Sequence, residues 1–369
     1  MRTKRNYLLS YLTTGAIIGI LFSWSCKKED PVEEPAFVTT SVVAEIGSVS
    51  AKGGGNISDD GGIRVTARGI VWSSSENPTL EDNEGFTEDG AGTGEFTSDI
   101  TDLKTETTYY VRAYAINRVG TAYGEQVSFA TIFISGEPYA DPRDGNVYNT
   151  VQIGDQCWLK ENLRYLPEVS PASAGSETDP HYYVYDYQGT DVYGAIATDN
   201  YQNYGVLYNW SAAMNGEASS NANPSGVQGA CPDGWHLPSD GEWTELVDYV
   251  VSQGYPNERG NPNGAGNALK SCRQVNSPFG GECATSENPR WDSDDTHYGT
   301  DQFGFSALPG GARYDIGTFN RIGDRGLGWT STERSSARAW YRGVGGNFGD
   351  MYLYRHNKDF GFPVRCVRD

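Results

Sequence analysis

The chain has 369 residues, a formal net charge of −20, 37% hydrophobic residues, 12% aromatic residues and 46 glycines. It is too apolar and aromatic for a disordered chain and too rich in glycine for a helical bundle, and its length indicates two domains or three. The acidic composition argues against nucleic acid and acidic lipid headgroups as partners, because like charges repel.

The N-terminal segment has the pattern of a secretory signal. Three positive charges within residues 2–5 precede a mostly apolar run at 7–24, and small residues and Cys26 follow. A single transmembrane anchor is the alternative, but the run contains Ser and Thr and is short of a ~20-residue span. Residues 1–25 resemble a bacterial lipoprotein signal peptide, although Trp24 departs from the small residue usual there. The resemblance implies that Cys26 is lipidated and attaches the protein to a membrane.

Residues 26–35 are charged and interrupted by proline. No core can be built from such a segment, so we predict a solvated acidic tether. The string KKEDPVEEP also resembles the acidic export tag of surface lipoproteins from Bacteroidetes, and tether and tag are compatible. This resemblance implies an outer-membrane lipoprotein that faces the medium.

Five cysteines lie beyond the lipidation position. None forms a CxxC pair and the chain has only four histidines, which argues against a zinc site. An exported compartment permits disulfides. Cys272 and Cys283 are close enough in sequence to close one loop, and Cys231 and Cys366 could tie a distant segment to the C-terminus. Cys157 would then be a buried strand thiol.

Residues 36–131 show alternating polarity and frequent glycines, which predict an all-β sandwich. Strands are predicted at 66–72, 109–116 and 126–131. Leu103, six residues before Tyr109, matches the tyrosine corner of a fibronectin type III domain. The strings VTARGIVWS, GTGEFTSDITDL and TTYYVRAYAINRVGTAYGE resemble fibronectin type III-like modules of secreted Bacteroidetes proteins. The resemblance implies a spacer or a binding scaffold, and we favour the spacer.

A linker at 132–140 leads to a second domain at 141–369. Ser239 and Glu242 form the S-x-x-E pattern of a capping box, and apolar residues then recur at i, i+3, i+4 and i+7. This pattern predicts a helix over 240–252. Strands are predicted at 146–153, 337–342 and 362–367. One helix among short strands and long loops indicates an α+β fold.

Several long strings of this second domain occur in a defined order. They are DPRDGNVYNTVQIGDQCWLKENLRY, YGVLYNWSAAMNG, CPDGWHLPSDGEWTELVDYV, GNALKSC, GTDQFGFSALPGGARY, GWTSTE and GFPVRCVRD. In order and spacing they resemble the Fibrobacter succinogenes major paralogous domain, a family thought to share a C-type-lectin-like core. The WHLPS-xx-EW string also resembles the RLPT-xx-EW string of formylglycine-generating enzymes. The resemblance implies an exported domain stapled by disulfides Cys231–Cys366 and Cys272–Cys283, and it supplies no mechanism.

The sequence gives little support for catalysis. Acidic residues are numerous enough to supply a carboxylate pair for glycoside cleavage, but sequence does not give their separation. No GxSxG string and no P-loop are present. Oxidase chemistry like that of formylglycine-generating enzymes needs reactive cysteines, and four of the five here look structural. We therefore predict that the protein is not an enzyme.

Two kinds of binding residue are candidates. Acidic residues near Trp291 could supply the oxygen ligands of a calcium ion, although the string lacks the EPN and WND signatures of lectins. These candidate ligands are Asp292, Asp294, Asp295 and Asp301. A solvated acidic loop is the alternative. Because sugar faces stack on aromatic rings, the candidate ligand-binding aromatics are Trp291, Tyr298, Trp329 and Trp340. In the run HYYVYDYQG at 181–189, sheet packing is favoured over a glycan platform, and Trp210, Trp235 and Trp243 are predicted to be core residues.

The sequence therefore predicts a multidomain protein, with a fibronectin III-like sandwich followed by an α+β, C-type-lectin-like domain with long loops. We expect a cell-surface, lipid-anchored binding or adhesion protein that recognises a glycan or an extracellular protein. A structural role in a surface assembly is the alternative, and a hydrolase with a carboxylate pair comes third. The expected partners are the membrane, through the lipid, and a glycan or surface-protein ligand, but not nucleic acid.

Overall fold

The structure, a computed structural model, describes residues 33–368. The predicted signal segment, Cys26 and most of the predicted tether lie outside the described residues. None of the helices formed within 33–368 is long and apolar enough to cross a membrane.

The first domain is a β-sandwich. Its strands are β1 (Phe37–Thr40), β2 (Ala51–Asp59), β3 (Ala67–Ser73), β4 (Gly85–Phe86), β5 (Gly94–Ile100), β6 (Thr108–Asn117), β7 (Gly120–Tyr123) and β8 (Val127–Ala130). One sheet has the order β1-β2-β5, and the other has the order β4-β3-β6-β7 with β8 also paired to β6. All of these pairings are antiparallel.

The alternation of β6 places one face of this strand in the core. Tyr109, Val111, Ala113 and Ala115 are all buried there. The hydroxyl oxygen of Tyr109 accepts a hydrogen bond of 3.0 Å from the backbone N–H of Lys104, which is the predicted tyrosine corner. The predicted strands at 66–72, 109–116 and 126–131 are confirmed to within a residue or two.

The linker at 132–140 packs against both domains. The ring of Phe133 meets Trp235 edge-on with centroids 5.4 Å apart, and the guanidinium of Arg368 lies 4.3 Å from the centre of the Phe133 ring. Arg368 also pairs with Glu106 of the first domain at 3.1 Å. Tyr139, near the end of the linker, is buried. The linker is therefore a packed element that joins the two domains.

The second domain is built from short strands and short helices. Its strands are β9 (Tyr139–Ala140), β10 (Val147–Tyr148), β11 (Thr150–Ile153), β12 (Gln156–Leu159), β13 (Tyr182–Tyr183), β14 (Leu207–Tyr208), β15 (Gly310–Arg313), β16 (Phe319–Ile322), β17 (Arg325–Ser335), β18 (Arg338–Gly345), β19 (Met351–Asn357) and β20 (Val367–Arg368). Its helices are α1 (Val192–Ile196), α2 (Asp199–Tyr204), α3 (Trp210–Met214), α4 (Asp240–Ser252) and α5 (Ala265–Leu269), with a 3₁₀ turn at Gly281–Cys283. The longest strands form the antiparallel sheet β17-β18-β19, and β11-β12-β20 form another.

Two of the three predicted strands of this domain need correction. The predicted strand at 146–153 is two strands, β10 and β11, which pair with different partners. The predicted strand at 362–367 is wrong except at its end, because β20 begins at Val367. The segment before β20 is instead tied down by isolated bridges, such as Tyr208 to Phe362, and by a disulfide at Cys366. The strand predicted at 337–342 is β18.

Helix α4 spans the residues that its capping box and apolar spacing predict. The Ser239 hydroxyl accepts from the backbone N–H of Glu242 at 3.1 Å, and the Glu242 carboxylate accepts from the backbone N–H of Ser239 at 2.8 Å. The same carboxylate is fully buried, accepts from the N–H of Ser225 at 3.1 Å and pairs with the His236 imidazole. Glu242 of the WHLPSDGEW string therefore has a structural role.

Both predicted disulfides are present. Cys231–Cys366 joins the segment before α4 to the segment before β20, and Cys272–Cys283 closes a loop of the long region after α5. Cys157 is a buried free thiol, and burial raises its pKa. The Ser135 hydroxyl of the linker donates to its sulfur at 3.2 Å.

Buried cations hold the long loops together. Arg313, fully buried, donates to the carbonyls of Ala172, Ala174 and Asp359. Arg365 and Lys270 also donate to backbone carbonyls elsewhere in the domain. The acceptors of Lys270 include the carbonyls of His297 and Gly345. Each cation replaces its lost hydration with several carbonyl acceptors, which is what a buried charge requires.

Candidate functional site

The four aspartates predicted to bind calcium do not form a metal site. The carboxylate of Asp294 accepts from the backbone N–H groups of Thr296 and His297 at 2.9 and 2.7 Å, and that of Asp301 accepts from the N–H of Ser306 at 2.7 Å. These two side chains therefore serve local turns. Between residues 33 and 368 no group of three or more His, Cys, Asp or Glu side chains could hold a metal. The prediction of calcium at Asp292, Asp294, Asp295 and Asp301 is wrong for this reason.

Two of the four predicted ligand-binding aromatics belong to the core. Trp291 is 1% exposed and Trp329 is fully buried, with the Trp329 indole N–H donating to the carbonyl of Tyr208 at 2.8 Å. Neither ring is open to a ligand, so these two predictions are wrong. Tyr298 and Trp340 are partly exposed and stay predictions. Burial of such large rings is favourable because each one removes much apolar surface from water.

The tyrosine run at 181–189 has the structural role that we favoured. Tyr182 and Tyr183 form the short strand β13, and both are buried. The guanidinium of Arg313 lies 4.7 Å from the centre of the Tyr183 ring. The predicted core tryptophans Trp210, Trp235 and Trp243 are likewise buried.

The sheet β17-β18-β19 presents an aromatic face that the sequence reasoning did not single out. Successive side chains of a strand point to opposite faces, so Tyr352, Tyr354 and His356 of β19 share one face. In the register of the sheet, Tyr341 of β18 lies opposite Tyr354, and Ala339 lies opposite His356. Four rings therefore lie on the same side of two neighbouring strands.

These rings line two adjoining hollows, with volumes of about 180 and 250 Å³, that have His356 and Phe360 in common. The ring of Tyr341 has its centroid 6.2 Å from that of Tyr352 and 5.9 Å from that of His356. His356 packs against Phe360 with centroids 3.9 Å apart. We name this place the aromatic cleft, defined by Tyr314, Tyr341, Tyr352, Tyr354, His356 and Phe360.

The rim of the aromatic cleft carries polar groups that are already held in place. The Asp324 carboxylate accepts from Arg325 at 2.5 Å and from Arg321 at 3.1 Å, and both guanidiniums line the cleft. Arg338 donates to the Asn357 side-chain oxygen at 3.2 Å on the other side. Fixed donors of this kind lose little conformational freedom when a ligand binds.

Burial sets the protonation of the groups in the aromatic cleft. It raises the pKa of Tyr352 to about 12 and raises that of Tyr341 as well, so both hydroxyls are neutral at pH 7. It lowers the pKa of His356 below its usual value, which favours the neutral imidazole. Neutral hydroxyls and a neutral imidazole can each donate and accept, as the hydroxyl groups of a sugar also can.

One sequence signal could have located part of this cleft. In MYLYRHN at 351–357, aromatic rings alternate with other residues at the period of a strand. Tyr314 and Phe360 come from separate segments, and only the fold brings them to the same place.

Residues 151–368, more than half of the chain, match the family described as the Fibrobacter succinogenes major domain. The chain therefore belongs to this family. None of the curated proteins compared with the chain matches it.

Several solved structures are similar to about a quarter of the chain. The sensor domain of the anti-sigma factor RsgI4 of Pseudobacteroides cellulosolvens is 17% identical over 27% of this chain and 98% of its own, with a TM-score of 0.22. A myokine is 22% identical over 27% and 99% of the two chains, also with a TM-score of 0.22. A fibronectin type III domain of the human KIAA0970 protein is 14% identical over 30% and 79%, with a TM-score of 0.21. At these TM-scores, the similarities add nothing to the functional argument.

Proposed function

We propose that the protein recognises extracellular glycans and that the aromatic cleft is its binding site. The observation that carries this proposal is the cleft itself, where six aromatic side chains surround an open hollow between fixed arginines. Ligand sites are typically concave and apolar, with a few polar groups that fix orientation.

The chemistry of the aromatic cleft suits a sugar ring. The apolar C–H face of a pyranose can lie on an aromatic ring, while its hydroxyls need donors and acceptors at the edge. Tyr354 is 54% exposed and offers its ring to the solvent side of the cleft. Arg321 and Arg325 supply donors at the rim.

We further propose that the protein is an outer-membrane lipoprotein displayed at the cell surface. The basic and apolar signal segment, Cys26 and the acidic tether support this location. The two disulfides also support it, because disulfides persist in oxidising compartments. In this proposal the first domain is a fibronectin III-like spacer that holds the second domain away from the membrane.

We also infer that the second domain has a C-type-lectin-like core. What supports this inference is the mixture of short helices, short strands and long loops, with Cys231–Cys366 tying the segment before α4 to the C-terminal region. We propose that it binds its ligand without catalysis, as an adhesion module.

A protein partner is the second candidate ligand. Ile316 is 77% exposed in the turn between β15 and β16, next to Asp315 of the cleft wall. Tyrosine and arginine, which are enriched at the centres of protein interfaces, also line the cleft.

The test is a glycan array probed with residues 27–369, followed by titration of the best sugar. Tyr354→Ala should weaken binding of that sugar at least tenfold, because stacking on the exposed ring is lost. Tyr193→Ala is the matched control, since Tyr193 is 81% exposed and does not line the cleft.

Glycan binding that survives Tyr354→Ala unchanged would place the sugar elsewhere on the chain. An array without any bound sugar would favour the protein partner, and capture of a surface protein that Ile316→Ser abolishes would then identify that role.

A further inference from the structure

A second pocket lies beside the disulfide Cys272–Cys283. It has a volume of about 530 Å³, and its wall includes Lys160, Arg273, Asp301 and Ser306. None of its lining residues belongs to the aromatic cleft. We name it the disulfide-loop pocket.

Two cations of this pocket have no hydrogen-bond or ion-pair partner among the described residues. Lys160 and Arg273 are both half-buried, yet neither side chain makes an ion pair or hydrogen bond with any residue in 33–368. The buried cations Lys270, Arg313 and Arg365, by contrast, all donate to carbonyls. Half-burial weakens hydration of a charge without replacing it, so an anion placed between Lys160 and Arg273 would restore what each has lost.

Neither acidic residue of the pocket forms an ion pair with these cations, although the Asp301 carboxylate is near enough to attract Lys160. Both carboxylate oxygens of Asp301 accept from Ser306, one from its backbone N–H at 2.7 Å and the other from its hydroxyl. The buried guanidinium of Arg365 and the Lys160 ammonium lie near enough to Asp301 to favour its charged form, against the effect of burial. Glu282, the other acid of the wall, is exposed.

The wall that carries Arg273 is rigid. The backbone carbonyl of Arg273 accepts from the N–H of the buried Trp291 at 2.9 Å, and the neighbouring Ser271 donates its N–H to Ala307 at 3.0 Å. The disulfide Cys272–Cys283 links this segment to residues 281–285, several of which also line the pocket. A preformed site of this kind needs little ordering when it binds a ligand.

We propose that the disulfide-loop pocket binds the acidic group of a carboxylated or sulfated sugar. The guanidinium of Arg273 can hold two oxygens of a carboxylate or sulfate in one plane, and Lys160 adds a point charge. The hydroxyls of the wall are already engaged within the protein, because Ser271 accepts from the Trp291 indole N–H at 3.2 Å and Thr285 donates to the carbonyl of Glu287 at 3.2 Å. The described wall holds no aromatic side chain, so charge rather than stacking supplies the affinity. The proposal stands independently of the aromatic cleft.

Calorimetric titration of residues 27–369 tests this proposal. The probes are glucuronate and galactose 6-sulfate, with glucose and galactose as the neutral counterparts and inorganic sulfate as the free anion. At least one sugar acid should bind saturably, at least tenfold more tightly than its neutral counterpart. Binding of glucuronate would indicate a carboxylate ligand, and binding of galactose 6-sulfate would indicate a sulfate ligand.

Variants locate the binding. Lys160→Gln with Arg273→Gln should weaken it at least tenfold, whereas Arg64→Gln, which removes the charge of an exposed arginine in the first domain, should leave it unchanged. Tyr354→Ala should also leave it unchanged, which separates this pocket from the aromatic cleft. In the wild type, NMR titration should move the backbone amides of Lys160 and Arg273, a readout that needs no variant.

The proposal is overturned if neither sugar acid binds saturably, or if neutral sugars bind equally well. It is also overturned if inorganic sulfate alone binds, or if a folded double variant binds like the wild type.

Discussion

Glu242 connects three segments of the second domain through one buried carboxylate. Its oxygens meet the N–H groups of Ser225 and Ser239 and the imidazole of His236. A capping box ordinarily satisfies two backbone groups at a helix start. Here the same side chain also fixes the segment before the helix, through Ser225 and His236.

We therefore predict that Glu242→Gln lowers the free energy of unfolding by about 2 kcal/mol. Charge-assisted hydrogen bonds become neutral ones, and the NH2 group of the new side chain cannot accept from a buried backbone N–H. Ser239→Ala should cost about 1 kcal/mol through loss of the cap. Urea unfolding measures both values. Asp248→Asn, an exposed change on the same helix, is the control and should alter stability little.

His356, in the aromatic cleft, makes the stability of the folded protein depend on pH. Burial lowers its pKa in the folded protein below its usual value of 6.5, so the folded state takes up a proton less readily than the unfolded state. Stability from this group is complete above pH 6.5 and is lost as pH falls through the folded pKa.

The wild type should accordingly lose more stability between pH 7.5 and pH 5.5 than His356→Gln does. His181, whose pKa burial also lowers, is present in both proteins and cancels in the comparison. Equal losses in the two proteins, measured by urea unfolding at both pH values, would contradict the assignment.

At the scale of elements, the two disulfides close loops of very different length. Their cysteines are 135 and 11 residues apart. In the chain-entropy model the longer loop contributes about 5 kcal/mol and the shorter about 3 kcal/mol.

Replacing Cys231 and Cys366 by Ala should therefore destabilise the protein more than replacing Cys272 and Cys283, by about 2 kcal/mol. Thermal or urea unfolding of the two double variants measures the difference. Mass mapping under non-reducing conditions checks the pairing, and a Cys231–Cys272 peptide would refute it.

Helices and strands could be predicted where residues close in sequence determine them. The capping box and apolar spacing give the bounds of α4, and alternation gives β6. The segment at 362–366 misled the prediction because it looks like a strand, although its backbone bonds go to isolated bridges. A strand-like pattern within one segment does not say which partner that segment will meet, because β-propensity depends on tertiary context.

Tertiary packing also explains why the sequence did not identify the candidate binding residues correctly. Trp291 and Trp329 are large aromatic residues of the kind that bind sugars, but burial of their apolar surface drives these rings into the core. The aromatic cleft combines Tyr314, Tyr341 and Phe360 from three segments, so its existence depends on tertiary packing.

For the whole molecule, the linker decides whether the two domains move independently. Phe133 lies between Trp235 and Arg368, and Arg368 continues to Glu106 in the first domain. Packed aromatic contacts of this kind favour one orientation of the domains, whereas a solvated linker would allow many.

Phe133→Ala should free the linker and raise the rate of proteolytic cleavage within 132–140 severalfold, since the ring no longer anchors the segment. Ile132→Ala, at an exposed neighbouring position, should leave the rate unchanged. Cleavage of the wild-type linker as fast as that of Phe133→Ala would show that the packing does not persist in solution.

The most direct test of the proposed function is a structure of residues 27–369 bound to the best sugar from the glycan array. The sugar ring should lie within about 4 Å of Tyr341, Tyr352 or Tyr354, with its hydroxyls facing Arg321 or Arg325. A sugar bound to the first domain, or to the second domain away from these rings, would contradict the assignment of the aromatic cleft.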